Sequence, residues 1–250
     1  MSNPRLAEVT TAVVKSISQA LSDQKVTNDE FFAAVGFLTD LTQRGELGLL
    51  TDALALTRVV DDNTHPFEAE GATATNVLGP YYREGAPFIE NGGSVSPDNE
   101  PGEPLYISGR VVGLDGNPIE NAVIEVWQSN AQGEYEHQTS GKEDYYLRRA
   151  LKTDGDGRYE FRTIKPSPYE IPKEGPVGTL LNMLDWHAFR PAHIHFKIAG
   201  DSHPTLVTQL YFTDDEWLHN DRVNAAKDSL AVPITAKGDH LEATFDVTLI

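Results

Sequence analysis

The sequence of 250 residues contains no cysteine. That removes disulfides, thiolate nucleophiles, iron–sulfur clusters and every cysteine-based zinc site. A metal held by this chain must rest on His, Asp, Glu or Tyr. No apolar run reaches the length of about 18 residues that a membrane-spanning helix needs, so no membrane span is expected. Basic residues are in deficit, with 20 Lys and Arg against 38 Asp and Glu and a formal net charge of −18. A surface this acidic repels phosphate backbones, and nucleic acid is not an expected partner. Met1-Ser2-Asn3-Pro4-Arg5 lacks the apolar core of a signal peptide, which makes a soluble cytoplasmic protein the expectation. Hydrophobic residues at 39% are enough for a sizeable core and exclude wholesale disorder.

What is present changes character near residue 65. Before it, Leu6, Val9, Val13, Ile17 and Leu21 recur at helical spacing. Thr27-Asn28-Asp29-Glu30 has the form of a capping box ahead of Phe31, Val35, Leu38 and Leu41. A third helical run covers Leu47 to Val60. Three short helices are predicted, with apolar faces that need a partner surface. After residue 70, Gly and Pro become dense and the apolar runs shorten. Strands are predicted at 105–114, 119–128, 159–163, 193–198, 207–212 and 241–249, with turns at Asp115-Gly116-Asn117-Pro118 and Asp154-Gly155-Asp156-Gly157. The fold class that follows is mainly β: a β-sandwich over 66–250 behind a helical region over 1–65. The Pro- and Gly-rich segment 164–192 is too long for a plain connection, a length that points to function.

The sharpest local signal is Arg190-Pro191-Ala192-His193-Ile194-His195-Phe196. Side chains of a strand alternate between faces, so His193 and His195 point the same way and can grip one ion. The plain alternative is two ordinary histidines of a core or surface. Phe196-Lys197-Ile198-Ala199-Gly200 offers no carboxylate of the kind a cupin-type Fe(II) site wants. His187 could complete a zinc site with His193 and His195. Phenolate ligation is the other route, and it demands a strongly Lewis-acidic ion such as Fe(III), because the phenol pKa of about 10 has to be pulled below neutral. Tyr135 in Gly133-Glu134-Tyr135 and Tyr169 in Pro166-Ser167-Pro168-Tyr169 stand out as candidates.

A set of motifs then occurs in one order: Leu78-Gly79-Pro80-Tyr81-Tyr82 with Gly85-Ala86-Pro87, Val126-Trp127-Gln128 with Gly133 and Tyr135, Asp154-Gly155-Asp156-Gly157-Arg158-Tyr159, Pro168-Tyr169, the Arg190 to Phe196 stretch, and Thr208-Gln209-Leu210-Tyr211-Phe212. In this order and spacing the chain resembles the intradiol ring-cleavage dioxygenases, the catechol and hydroxyquinol 1,2-dioxygenases. The resemblance implies one Fe(III) held by Tyr135, Tyr169, His193 and His195. It implies an aromatic diol and O2 as substrates, and an axial Tyr169 that leaves as the diol binds. Arg190 and Gln209 would assist at the ring, Arg190 through its fixed charge and Gln209 through hydrogen bonding. The segment Leu49-Leu50-Thr51-Asp52, with Val77, Leu78, Gly79, Pro80 and Tyr81, resembles the ring pocket of the hydroxyquinol branch. Ring opening of hydroxyquinol to maleylacetate is therefore expected, with catechol and cis,cis-muconate as the alternative. The N-terminal helices would form a homodimer, with a bound lipid as a further expectation. A reading of another class, a non-catalytic transthyretin-like binding module, explains the sandwich but not the two Tyr and two His together.

Overall fold

The computed structural model describes residues 3–64 and 69–250. Two compact units are present, Met1–Leu47 and Gly48–Ile250. The predicted boundary at residues 65 and 66 lies outside the described residues.

The first unit consists of α1 (Pro4–Asp23) and α2 (Asn28–Arg44). Asn3 caps α1 by accepting from Leu6 N, with Pro4 at the first helical position. The capping box of α2 forms as its sequence predicts. Glu30 Oε2 accepts from Thr27 N at 2.8 Å, and Gly45 closes the helix in the left-handed conformation. The third predicted helix is two, α3 (Leu47–Ala53) and α4 (Leu56–Thr64). Ala55 adopts φ 57° between them, which no right-handed helix accommodates.

The β-rich part runs β1 (Pro104–Gly113), β2 (Val123–Gln128), β3 (Arg148–Lys152), β4 (Arg158–Ile164), β5 (Tyr169–Glu170), α5 (Pro176–Met183), β6 (Phe189–Arg190), β7 (His193–Ala199), β8 (Leu206–Phe212), β9 (Ala231–Val232), β10 (Thr235–Lys237), β11 (His240–Thr244) and β12 (Val247–Leu249). One sheet has the order β10-β11-β1-β12 with β4 also on β1, the other β3-β2-β7-β8-β9. Their inner faces share one core, where Leu105, Ile107 and Phe161 meet Ile124, Val126, Ile194, Phe196 and Ile198. Phe196 touches Phe161 and Phe245 at ring separations of 6.0 and 5.3 Å. This is the predicted mainly β sandwich with helices ahead of it.

The β-rich part differs from the sequence-based expectation in several elements, and the short β5, β6, β9 and β10 and the helix α5 were not expected at all. The strand predicted from Ile119 begins at Val123, because Asn121 turns at φ 58°. The strand predicted over 241–249 breaks between β11 and β12, where the Asp246 side chain instead of the backbone accepts from Arg110 N at 2.9 Å. β3 escaped the pattern because its charged Arg148 is buried, paired to Glu136 at 2.7 Å.

Candidate metal centre and ring pocket

The alternation of β7 sends Ile194, Phe196 and Ile198 into the core and His193 and His195 to the opposite face. Direct cross-strand partners continue that face: Trp127 and Gln209 lie opposite His195, and Tyr211 lies opposite His193. Loops roof this face. The Gly133 turn delivers Tyr135. The excursion 164–192, which folds into a two-stranded ribbon of β5 and β6 with α5 between them, delivers Tyr169 and Arg190 directly opposite one another. Pro191 and Ala192 separate Arg190 from β7, so its side chain reaches the site that strand parity alone would deny it.

Donor atoms converge here. His193 Nε2 lies 3.1 Å from His195 Nε2 and 3.1 Å from the Tyr135 hydroxyl. Tyr169 packs edge-on to Tyr135 at 5.5 Å and lies 5.7 Å from the His193 ring. All four side chains are buried. His193 Nδ1 is 2.8 Å from the Pro191 carbonyl, which can only accept, so Nδ1 carries the proton and Nε2 keeps its lone pair. Burial, reinforced by the Arg190 charge, pushes the His193 pKa down to about 3. Burial, then His193 and Arg190, push His195 well below its ordinary value. Both imidazoles are therefore neutral and available as ligands. Burial drives the Tyr135 phenol well above its ordinary pKa, and a negative Tyr169 would raise it further. Burial raises Tyr169 as well, partly offset by Arg190. Two neutral imidazoles and two buried phenols, satisfied chiefly by each other, fit a hard, highly charged cation that would stabilise both phenolates. Among the described residues no group of three or more His, Asp or Glu side chains is placed to hold a metal. His187 instead accepts from Phe189 N and packs on Trp217 at 4.9 Å, which removes it from the zinc site that sequence spacing allowed.

Two glycines set the close approaches. Gly133 has φ +79°, and a Cβ there would lie 2.6 Å from Tyr169 Cβ. Gly79 has φ +76°, and its Cβ would lie 3.1 Å from His195 Cε1. Only glycine meets both conditions without strain.

A small pocket opens beside the donors. Leu49, Asp52, Val77, Gly79, Pro80 and Tyr81 line one side, all of them expected from the sequence. Tyr169, Ile171, Arg190 and Val223 line the other. Leu78 is 38% exposed and is not among the lining residues. The Tyr81 ring stands 4.8 Å from Tyr135. Asp52 accepts from Thr57 Oγ1 at 2.5 Å, and partial burial raises its pKa despite that bond.

Arg190 is held on every side but one. Asp221 takes Nε at 3.1 Å and Nη2 at 3.2 Å. Gln209 Oε1 and the Tyr211 hydroxyl each lie 3.3 Å from Nη2. Nη1 is left facing His193 Nε2 at 3.3 Å. Gln209 Nε2 donates to Val77 O at 2.7 Å, which fixes Oε1 toward Arg190. Gln209 thus acts on the guanidinium and the pocket wall. Asp221 was invisible in the sequence: it sits in a loop 31 positions from Arg190 with no motif around it.

The chain matches the family model described as Dioxygenase over residues 77–250, and the one described as Catechol dioxygenase N terminus over residues 3–72. It is 35% identical over 232 residues to catechol 1,2-dioxygenase 2 of Acinetobacter lwoffii, covering 91% of this chain and 84% of that one. It is 37% identical over 234 residues to hydroxyquinol 1,2-dioxygenase of Rhizobium sp. (strain MTP-10005), covering 91% and 79%. The crystal structure of hydroxyquinol 1,2-dioxygenase from Pseudomonas putida DLL-E4 superposes with a TM-score of 0.92 at 31% identity, covering 100% of this chain and 93% of that one. The chain belongs to the intradiol ring-cleaving dioxygenases, a family that uses non-haem iron. No helix among the described residues is long and apolar enough to cross a membrane.

Proposed function

We propose that the chain opens the ring of hydroxyquinol between its two vicinal hydroxylated carbons, giving maleylacetate, with one Fe(III) per subunit on Tyr135, Tyr169, His193 and His195. The observation that carries the substrate choice is Asp52 in the same pocket as Tyr169 and Arg190. When bound, the ferric ion supplies Lewis acidity for the diol oxygens and the electronic path by which the ring meets O2. The chain's own residues do the rest. Tyr169 sits at the pocket wall, where its phenolate oxygen can take a proton from an entering diol. Arg190 presents Nη1 as a fixed donor where negative charge develops on the ring. Tyr81, Val77 and Leu49 shape a slot for a flat ring. Asp52 accepts a hydrogen bond from the third hydroxyl, which catechol lacks. A hydrogen bond to a charged group is worth about 1.5–3 kcal/mol, roughly ten- to a hundredfold in specificity. Catechol opening to cis,cis-muconate is the second reading, favoured by relatives bearing that name.

The test compares kcat/KM for hydroxyquinol and catechol in the wild type and in Asp52→Ala. Preference for hydroxyquinol, reduced about ten- to a hundredfold in the variant, supports the assignment. A wild type that prefers catechol, or a ratio unmoved by the substitution, removes Asp52 from recognition and leaves the catechol reading.

The chain is also proposed to be a homodimer through residues 5–60, with a lipid as a guest of the interface. The support is an apolar stripe of α1: Leu6, Val13 and Ile17 are all at least half exposed, and α1 has no buried residue. A monomer by light scattering at micromolar concentration contradicts it.

A further inference from the structure

The face of β2 and β7 that carries His195 continues outward to the protein surface. Trp127 is the direct cross-strand partner of His195, and Glu125 that of Lys197, two residues further along each strand. The Trp127 and His195 rings stack within 6° of parallel at 4.6 Å between centroids. Tyr82 also contacts Trp127, at 5.1 Å between ring centroids and tilted by 57°. Three rings thus form one continuous contact from a donor of the metal centre to a half-buried tyrosine.

The two outer rings differ in what they can do with a proton. Trp127 is 2% exposed, and its Nε1 has no hydrogen-bond partner among the described residues. An oxidised indole there cannot shed its proton, so oxidation is not trapped at that position. Tyr82 donates its hydroxyl to Glu125 Oε2 at 2.9 Å, while Lys197 donates to the Tyr82 oxygen at 2.6 Å and to Glu125 Oε1 at 3.1 Å. A phenol becomes strongly acidic when it loses an electron. Here the proton has a carboxylate already in place, and the ammonium still donates to the oxygen left behind. Removal of an electron is therefore easier to complete at Tyr82 than at Trp127, which gives the pathway an outward direction.

We propose that Trp127 and Tyr82 form an electron relay that drains oxidising equivalents from the metal centre to the surface, sparing the ligands when a peroxide reaches the centre without a diol. It rests on the reading of His195 as a metal ligand. In the step, Tyr82 loses one electron through Trp127 and passes its proton to Glu125. With hydrogen peroxide as oxidant, two electrons and two protons convert each peroxide to two waters. Two passes through Tyr82 balance this. The phenoxyl is refilled after each by an electron from a soluble reductant such as ascorbate and by the proton held on Glu125. The protons consumed at the peroxide are those the oxidised reductant releases to solvent.

The experiment mixes iron-loaded, diol-free protein with hydrogen peroxide, freezes it rapidly and records the electron paramagnetic resonance spectrum. A parallel sample with ascorbate is digested and its oxidised residues are located by mass spectrometry. The expected result is a tyrosyl radical that is lost in Tyr82→Phe and in Trp127→Phe but retained in Tyr106→Phe, a tyrosine on the other sheet. Tyr82→Phe should also show several-fold more oxidation of His193, His195, Tyr135 and Tyr169 per peroxide. If Trp127→Phe does not fold, Tyr82→Phe decides alone. Iron-loaded, coloured protein whose radical and ligand oxidation are the same with and without the Tyr82 hydroxyl overturns the relay and leaves the metal assignment standing. Protein that takes up no iron overturns both.

Discussion

Asp221 grips Arg190 along one edge of the guanidinium, at 3.1 and 3.2 Å, with both side chains 5% exposed or less. The carboxylate also accepts the backbone N–H groups of Val223, Ala225 and Ala226, so it is fixed before it meets the arginine. This leaves Nη1 as the edge turned to the centre. Removing one member of a buried pair costs about 3–5 kcal/mol, because the other charge is left uncompensated. Asp221→Ala is expected to lose stability of that order in urea unfolding. Arg190→Lys keeps the charge, but one ammonium cannot serve Asp221, Gln209 and the site together. A loss of kcat on the order of a hundredfold is expected, with iron content unchanged. Wild-type kcat in Arg190→Lys would show that the fork geometry is irrelevant.

The same pair sets an acid limit. Burial alone would raise the Asp221 pKa, but the adjacent Arg190 and its hydrogen bonds hold it below the ordinary carboxylate value. A group depressed in the folded state stabilises above its unfolded pKa of about 4, and that contribution is lost as pH falls through the lower folded value. Asp221→Asn resembles the protonated acid. The gap in melting temperature between wild type and Asp221→Asn should therefore be constant from neutral pH down to about pH 5 and shrink below about pH 4. A gap that widens on acidification contradicts the assignment.

Gly133 is the contact through which the Tyr135 turn seats Tyr169. Alanine there would put a methyl into Tyr169 Cβ in a left-handed backbone conformation. Overpacking costs about 1–3 kcal/mol, and the left-handed region adds about 1–2 kcal/mol. Gly133→Ala should lower the melting temperature and alter the visible spectrum of the iron-loaded protein, since it moves Tyr169. A change in stability with the spectrum untouched would separate the glycine from the ligand.

The parts of this site readable from sequence are those written in local periodicity. His193 and His195 share a face because strands alternate, and the sandwich follows from short apolar runs punctuated by turns. Tyr135 lies in a loop and Tyr169 in the two-residue β5, where no period marks a ligand, and the ordered set of motifs tied them to the two histidines. Arg190 has the wrong strand parity, and its entry depends on the Pro191-Ala192 bend. Asp221 holds it through a long-range contact for which no sequence pattern exists. β3 was missed because a buried arginine reads as a surface residue until Glu136 is seen beside it. The break at Ala55 lies in a run whose apolar spacing is helical on both sides.

The measurement closest to the central claim is the visible spectrum of the purified protein with iron analysis, repeated on the ligand variants. One iron per chain and a phenolate-to-ferric charge-transfer band are expected. Tyr169→Phe should shift that band and slow turnover, while His193→Ala and His195→Ala should lose iron and activity together. A colourless protein without iron, or full activity and an unchanged spectrum in Tyr169→Phe, would contradict the assignment of the site.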